Sequence, residues 1–315
     1  DGVLEIKGNL LHEDGYTYCG RDNNKVILSG NEKQIIKANG FTWKFCELVI
    51  GNTSEEGVYA EEFVQADMIT DRNQKLSFAI DGEIGYTLTE DTIIQGDLTL
   101  LAGTMDLNGY QLTVMGNLTH RNGTLNMNKG TLQVQGDYTL GNLDSNGKYQ
   151  KNAARLLMEE EEDLVCVEGD VLISTYGNLA PYLKKGTLEV KGDVAYDYYG
   201  SGYDTISADW HLLMSGTKKQ ELTNLTNNDY IRLGTIDITN TSAEGVVATN
   251  YMWFANPVNG SDKLHGTDGY NVIWANGEAP QFTTWEGSIR FDTPVTLEQD
   301  LNVEGTLVVC DPFDV

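Results

Sequence analysis

Proline and cysteine are scarce in this 315-residue chain, and acidic residues far outnumber basic ones. It has 5 Pro and 4 Cys, and 21 Lys and Arg stand against 47 Asp and Glu, so the net charge is −26. Because no basic stripe is available to neutralise phosphates, this composition argues against DNA, RNA and anionic membranes as partners. An acidic excess is more typical of a surface protein, including one that collects divalent cations.

Long apolar runs are missing, and helical periodicity is scarce, with residues 153–162 the only stretch whose composition would suit a helix or, equally, a strand and an acidic turn. No stretch of 18 apolar residues occurs, so we predict no membrane insertion. The cysteines at positions 19, 46, 166 and 310 lack metal-ligand spacing such as C-x-x-C, which favours isolated thiols and leaves a Cys19–Cys46 disulfide open. The sequence starts at Asp1, without a methionine or signal peptide and within a repeat unit, so we expect a fragment of a longer protein.

Glycine, in contrast, is abundant, with 34 residues, and some of it is periodic. Gly96, Gly116 and Gly136 mark a repeat of 20 residues in which apolar positions alternate. A short strand with one apolar face cannot bury that face alone, whereas the next copy stacked on top buries it. The fixed period therefore predicts an all-β fold, a parallel β-solenoid with coils of about 20 residues. Antiparallel hairpins would also alternate, but they have no reason to hold the period to the residue.

Two polar columns accompany the apolar column formed by Leu98, Leu118 and Tyr138. One column follows the marker glycines and consists of Asp97, Asn117 and Asp137, and the other consists of Thr99, Thr119 and Thr139. Carboxylates one coil apart, at about 4.8 Å, would suit a polysaccharide hydrolase geometrically. Asp and Asn are also common turn formers. Because turn formation explains the first column without chemistry, we interpret both columns as structural ladders and predict no catalytic residue.

A second, longer repeat flanks the regular coils. Four pairs of segments recur in the same order: 2–10 with 186–194, 28–34 with 214–220, 48–58 with 236–246, and 88–98 with 297–307. We therefore predict a first long repeat unit at 1–98, regular coils at 99–185 with an irregular excursion at 141–163, and a second long unit at 186–315 with about one extra coil. Residues 29–89 and 215–293 match the coil template poorly, which leaves widened coils and side-lobes both open.

Four segments also carry a family resemblance. LNGYQLTVMGNL at 107–118, GTLEVKGD at 186–193, MSGTKKQ at 214–220 and IDITNTSAEGV at 236–246 resemble the repeat unit of very large surface or secreted proteins of Gram-positive bacteria. Those proteins are grouped with filamentous-haemagglutinin-like β-solenoid adhesins. The resemblance implies an extracellular location, at the cell surface or secreted, and a scaffolding or adhesive role. The implied partners are flanking repeats of the same parent chain and a glycan or protein on a host or bacterial surface.

Aromatic residues are the best candidates for a binding surface, because sugars stack on Tyr and Trp rings and inserted loops often carry function. We predict glycan contacts at Tyr196, Tyr198, Tyr199, Tyr203, Trp210, Trp253, Trp274 and Trp285. The alternative is core packing, since Trp253 and Phe254 are adjacent and one of two neighbours in a strand points inward.

Calcium is the only cofactor that the sequence suggests, and it does so incompletely. Asn142, Asp144 and Asn146 match the early ligand positions of an EF-hand loop, but Ala153 stands where a bidentate glutamate is needed. An ordinary Asn-Gly turn explains the same residues. We therefore predict a non-enzymatic, elongated scaffold or adhesin, with a carbohydrate-binding module and a β-helix polysaccharide-active enzyme as the alternatives.

Overall fold

The computed structural model of this chain consists of short parallel strands. It describes residues 2–12, 24–37, 43–61, 64–71, 75–78, 85–94, 96–100, 103–141, 154–175, 179–198, 204–225, 231–269 and 271–309. The strands are β1 (Gly2–Ile6), β2 (Leu10–Leu11), β3 (Asn24–Leu28), β4 (Gln34–Lys37), β5 (Trp43–Ile50), β6 (Val58–Ala60), β7 (Val64–Thr70), β8 (Leu76–Phe78), β9 (Gly85–Thr87), β10 (Thr92–Ile94), β11 (Leu98–Leu100), β12 (Thr104–Asp106), β13 (Gln111–Val114), β14 (Leu118–His120), β15 (Gly123–Asn126), β16 (Thr131–Val134), β17 (Tyr138–Gly141), β18 (Ala154–Leu157), β19 (Leu164–Val167), β20 (Val171–Thr175), β21 (Gly186–Val190), β22 (Val194–Tyr198), β23 (Asp204–Thr205), β24 (Trp210–Met214), β25 (Gln220–Asn224), β26 (Ile231–Arg232), β27 (Thr235–Ile238), β28 (Val246–Thr249), β29 (Met252–Phe254), β30 (Val258–Asn259), β31 (Leu264–His265), β32 (Asn271–Trp274), β33 (Thr284–Trp285), β34 (Ser288–Phe291), β35 (Asn302–Val303) and β36 (Leu307–Val309). One 3₁₀ helix spans Ser261–Lys263, and the described residues contain no α-helix.

The chain divides into two units, Asp1–Leu157 and Met158–Val315. In the first unit the ladders run β1-β3-β5-β7, β10-β13-β16, β2-β4-β6-β8-β11-β14-β17 and β9-β12-β15-β18. Each strand therefore pairs with a strand one coil further along the chain, and every pairing among the described strands of this unit is parallel. The parallel β-solenoid predicted from the 20-residue period is confirmed.

The predicted columns of the first unit are present in its register. Leu98 lies opposite Leu118, and Leu118 lies opposite Tyr138. All three side chains are buried, so each coil covers the apolar face of the one before it. Thr99, Thr119 and Thr139 lie opposite one another on the same strands. The end of the predicted 141–163 excursion returns to the coil, because β18 pairs with β15.

The second unit repeats the same design. Its ladders run β19-β21-β24-β27-β30, β20-β22-β25-β28-β31, β23-β26, β29-β32-β34-β36 and β33-β35, again with parallel pairings among the described strands. The regions 29–89 and 215–293 match the coil template poorly in sequence. Their described strands lie in the ladders of the two units, such as β4 and β6 in the first unit and β27 and β28 in the second. Those strands are therefore coil strands. The largest fully buried side chains of the second unit are Trp210, Trp274, Trp285 and Tyr196.

Candidate functional site

The column that begins with Asp97 and Asn117 would suit a hydrolase by its spacing, but its side-chain oxygens accept hydrogen bonds from the backbone. Oδ1 of Asp97 accepts a hydrogen bond from the backbone N–H of Asn117 at 2.5 Å, and Oδ1 of Asn117 accepts one from Asp137 N–H at 2.8 Å. In the second unit Oδ1 of Asp170 accepts from the Asp193 N–H at 2.8 Å. Each side chain thus satisfies a corner amide of the next coil, which supports the interpretation of this column as a structural ladder.

In the first unit, two buried amide side chains form hydrogen bonds between coils at the start of β4. Oε1 of Gln34 accepts from the Gly30 N–H at 2.8 Å, and its Nε2 donates to the carbonyls of Ile6 at 3.1 Å and Gly8 at 2.6 Å. Nδ2 of Asn52, one coil further on, donates to Gln34 Oε1 at 2.9 Å. These contacts, which we name the clasp, connect three successive coils through groups that are almost wholly buried.

The clasp recurs atom for atom in the second unit. Gln220 accepts from the Gly216 N–H at 2.8 Å and donates to the carbonyls of Val190 and Gly192 at 3.0 and 2.5 Å. Asn240 donates to Gln220 at 2.9 Å. The sequence signal was present, because both glutamines end a repeated motif and both asparagines begin N-T-S. The role of these residues was missed because each bonds to residues that are distant in the chain.

Four of the predicted glycan contacts lie in the core, which corrects that prediction for them. Trp210 and Trp285 are fully buried, and so are Trp274 and Tyr196. Nε1 of Trp210 donates to the Met158 sulfur at 3.4 Å, Nε1 of Trp274 donates to the Glu278 carbonyl at 2.8 Å, and the Tyr196 hydroxyl donates to the Met252 sulfur at 3.2 Å. Their ring faces are removed from solvent, so these side chains fill the solenoid interior.

Some predicted residues lie outside what the structure describes. Tyr199 and Tyr203 are outside the described residues, and of Tyr198 the structure describes the backbone at the end of β22. Asn142, Asp144 and Asn146 of the calcium hypothesis and the cysteines Cys19 and Cys310 are outside as well. A Cys19–Cys46 disulfide therefore stays an open possibility.

Among the predicted aromatic residues whose side chains the structure describes, Trp253 keeps partial access to solvent. It lies half-buried on β29 while its neighbour Phe254 is buried, as the alternation of a strand requires. The guanidinium carbon of Arg232 lies 4.0 Å from the centre of the Trp253 ring, which is a cation–π contact. One face of this indole is therefore already covered by a protein group.

A groove lies beside this contact. Its volume is about 300 Å³, and its lining includes Tyr251, Ile273, Ser288, Arg290, Thr306 and Val308. The ladder places Trp253, Ile273, Arg290 and Val308 in one column, one residue per coil. The Arg290 guanidinium forms an ion pair with Asp292. Apolar walls with the hydroxyls of Ser288 and Thr306 and the Arg290 guanidinium suit a hydroxyl-rich ligand, because such a ligand both donates and accepts hydrogen bonds.

A histidine–carboxylate pair lies on another face of the second unit. Nδ1 of His211 lies 2.5 Å from Oδ2 of Asp237, and Nδ2 of Asn259 donates to Asp237 Oδ1 at 2.6 Å. The adjoining cleft is lined by Glu161, Thr187 and Asp209. Within the described residues, no group of three or more His, Cys, Asp or Glu side chains could hold a metal ion. The carboxylate of Asp237 thus fixes the orientation of the His211 imidazole.

Burial shifts the acidity of several titratable groups, among them His120, Asp197 and the half-buried Cys166. Burial lowers the pKa of His120 to about 4, although the Gly123 carbonyl partly opposes the shift. Burial raises the pKa of Asp197 to about 6, and its Oδ1 has no hydrogen-bond partner in the described part of the chain. Burial, and then the neighbouring Glu189 carboxylate, raise the pKa of the Cys166 thiol to about 11, so this thiol stays protonated and unreactive at neutral pH.

Within the described residues, no helix is both long and apolar enough to cross a membrane. No family model matches the chain, and neither a curated protein nor a solved structure matches it.

Proposed function

We propose that the chain is a non-enzymatic segment of a large, repeat-containing bacterial surface or secreted protein and that it acts there as an elongated scaffold or adhesin. The resemblance of its repeat motifs to those of Gram-positive surface proteins supports an extracellular location. It also supports flanking repeats of the parent chain as neighbours.

The observation that carries the proposal is the recurrence of the clasp. Gln34 and Gln220 are buried, and the side-chain amide of each forms hydrogen bonds with groups of the neighbouring coils. The corner acids Asp97 and Asp170 do the same at the surface. Side chains of a catalytic site would instead converge on a cavity, where reacting groups must reach a substrate. Polar side chains that bond one coil to the next stabilise the stack, and a scaffold requires a stable stack.

Small-angle X-ray scattering tests the elongated form of the scaffold. A stack of coils predicts a pair-distance distribution with an early maximum and a long tail, since each coil adds about 4.8 Å along one axis. A symmetric distribution, as a globule gives, would contradict the proposal.

A reducing-end assay on pectin, alginate and xylan tests the enzymatic alternative. We expect no release above the buffer blank, and release that co-purifies with the chain would overturn the non-enzymatic role.

One observation favours a second function, carbohydrate binding. The groove lined by Tyr251 and Arg290 combines an aromatic ring with groups that can bond hydroxyls. On a glycan array, Tyr251→Ala and Arg290→Gln should each weaken binding about three- to tenfold. Tyr110→Ala is the matched control, because Tyr110 is an exposed aromatic residue of the first unit. Equal binding by all variants, or no binding by the unmodified chain, would remove this second function.

A further inference from the structure

Two buried polar side chains of the second unit lie opposite each other without a hydrogen bond. Ser174 of β20 is paired with Asp197 of β22 in the parallel register, and the two residues are only 1% and 6% exposed. In the described part of the chain, neither Oγ of Ser174 nor Oδ1 of Asp197 has a hydrogen-bond partner. Because buried polar groups of native proteins are almost always bonded, such a pair indicates that a water or an ion bridges the two oxygens.

The alternation of the two strands separates this pair from the apolar core. Ile173 and Tyr196 precede the two residues in the chain, lie opposite each other and are buried. Because successive side chains of a strand point to opposite faces, Ser174 and Asp197 point away from the interior that Tyr196 helps to fill. The next coil offers Asp197 no partner. Leu225 follows β25 there, with its backbone N–H bonded to the Tyr196 carbonyl at 2.8 Å, and its side chain is apolar.

A neighbouring pair on the same ladder shows what this register allows. Thr223 of β25 lies opposite Thr249 of β28, and their hydroxyl oxygens are 2.6 Å apart in a hydrogen bond. Ser174 and Asp197 have the same opposed arrangement, and a hydroxyl could donate to a carboxylate, yet no bond joins their buried oxygens. A third atom between the two oxygens would satisfy both of them.

The charge of Asp197 favours a cation as this third atom. Burial raises the pKa of its carboxyl group to about 6, so the group is ionised at neutral pH. A buried carboxylate without a partner is costly, and native proteins pair such a group with a cation or use it as a metal ligand. A water molecule would bond both oxygens but would leave the negative charge uncompensated.

The spacing of the two strands selects among hard cations. Side chains paired across neighbouring strands start about 4.8 Å apart. Ca²⁺ binds oxygens at about 2.3–2.6 Å, so two contacts span about 4.6–5.2 Å, whereas two Mg²⁺ contacts span only about 4.0–4.2 Å. The distance between neighbouring coils therefore suits an ion of calcium size.

We propose that Oγ of Ser174 and Oδ1 of Asp197 bind a hard cation of calcium size between β20 and β22, with water as its remaining ligands. The site contains one carboxylate, so it differs from a cluster of three or more acidic or histidine side chains. Few charged ligands predict weak binding, with a Kd of about 10⁻⁴–10⁻³ M. The ion would join two successive coils and stabilise their stacking. This inference goes beyond the scaffold proposal and does not depend on it.

Urea denaturation in CaCl₂ and in MgCl₂ at equal concentration tests this site. The two ions carry the same charge, so their comparison separates a fitted site from general screening of the net charge of −26. For the 315-residue chain, freed of divalent ions beforehand, Ca²⁺ at about ten times its Kd should raise the folding equilibrium constant about tenfold, and Mg²⁺ should raise it less. Calorimetric titration should show a single calcium-selective site.

Three variants locate the ion. The difference between Ca²⁺ and Mg²⁺ should vanish in Asp197→Asn and shrink in Ser174→Ala. It should persist in Asp209→Asn, the matched control, because Asp209 is an exposed acid of the same unit. Without divalent ions, Asp197→Asn should be more stable than the unmodified chain, since it removes a buried charge and no hydrogen bond of Oδ1.

Other outcomes overturn the inference. Equal responses to Ca²⁺ and Mg²⁺ in every protein would mean that the ions act on the net charge alone. A calcium preference that Asp197→Asn keeps would place the ion elsewhere. A stabilised Asp197→Asn, together with an unmodified chain that does not respond to calcium, would indicate a bridging water or proton. If Asp197→Asn does not fold, Ser174→Ala decides, because loss of one ligand should weaken calcium binding about three- to tenfold. Unchanged calcium binding by Ser174→Ala would contradict the bridge, and each of these results would leave the scaffold proposal standing.

Discussion

The side-chain amide of Asn52 donates a hydrogen bond of 2.9 Å to Oε1 of Gln34, and both side chains are buried between coils. The same bond, with the same length, joins Asn240 to Gln220 in the second unit. A buried amide that serves several backbone groups is costly to lose, because its partners cannot turn to water. The clasp therefore fixes the position of one coil relative to the next.

Removing the clasp glutamine should destabilise the fold. Gln220→Leu removes the acceptor of the Gly216 N–H and the donor to the Gly192 carbonyl, while the Val190 carbonyl keeps its bond from the Ser215 N–H, so the free energy of unfolding should fall by about 1–3 kcal/mol. Gln34→Leu should have an effect of similar size. Urea denaturation measures both. Gln135→Leu, at an exposed glutamine, is the control and should stay within about 0.5 kcal/mol of the unmodified chain. Equal stability of all three variants would show that the clasp is dispensable.

Marker glycines are required where coils approach most closely. A Cβ at Gly116 would lie 2.1 Å from Oδ1 of Asp97 and 2.8 Å from the carbonyl carbon of Gly96. Gly116→Ala should therefore lower the free energy of unfolding by about 1–3 kcal/mol, because backbone atoms of the preceding coil must move. Gly8→Ala should be nearly neutral, since a Cβ there meets no atom within 4 Å. Thermal unfolding of the two variants checks the contrast, and a tolerated Gly116→Ala would argue against stacking at this distance.

His120 should make the stability of the first unit depend on pH. Its pKa is about 4 in the folded chain and 6.5 in the unfolded chain, so the unfolded state binds more protons between these values. The stabilisation is therefore complete above about pH 6.5 and decreases as the pH falls towards 4. Between pH 7.5 and 5.5 the loss amounts to about 1 kcal/mol.

A leucine variant isolates this effect from the many carboxylates. His120 lies between Leu100 and Leu140 in its ladder, so His120→Leu suits the column. Urea denaturation at pH 7.5 and 5.5 should show a smaller loss of stability for His120→Leu than for the unmodified chain, by about 1 kcal/mol. An identical pH dependence of the two proteins would mean that the imidazole is not buried in its neutral form.

The extent to which sequence predicts this molecule depends on where each residue's partners lie. The column of Leu98, Leu118 and Tyr138 could be predicted because its members recur at a fixed period and a solenoid places that period in register. Trp274 and Trp285 could not be assigned to core or surface, because their segments lack that period. The hydrogen bonds of the clasp could not be predicted for a third reason. The motif that contains Gln34 repeats in the sequence, but its side chain bonds to residues of the coils before and after it.

Cysteine crosslinking tests the stacking of 20-residue coils most directly. Thr99 and Thr119 lie opposite each other on adjacent parallel strands, whereas Thr139 lies two coils from Thr99, at about 10 Å. In a background without the native cysteines, the pair Thr99→Cys and Thr119→Cys should form a disulfide on mild oxidation, because neighbouring strands lie within disulfide reach. The pair Thr99→Cys and Thr139→Cys should not. Crosslinking of the second pair, or of neither, would contradict the parallel solenoid and everything proposed from it.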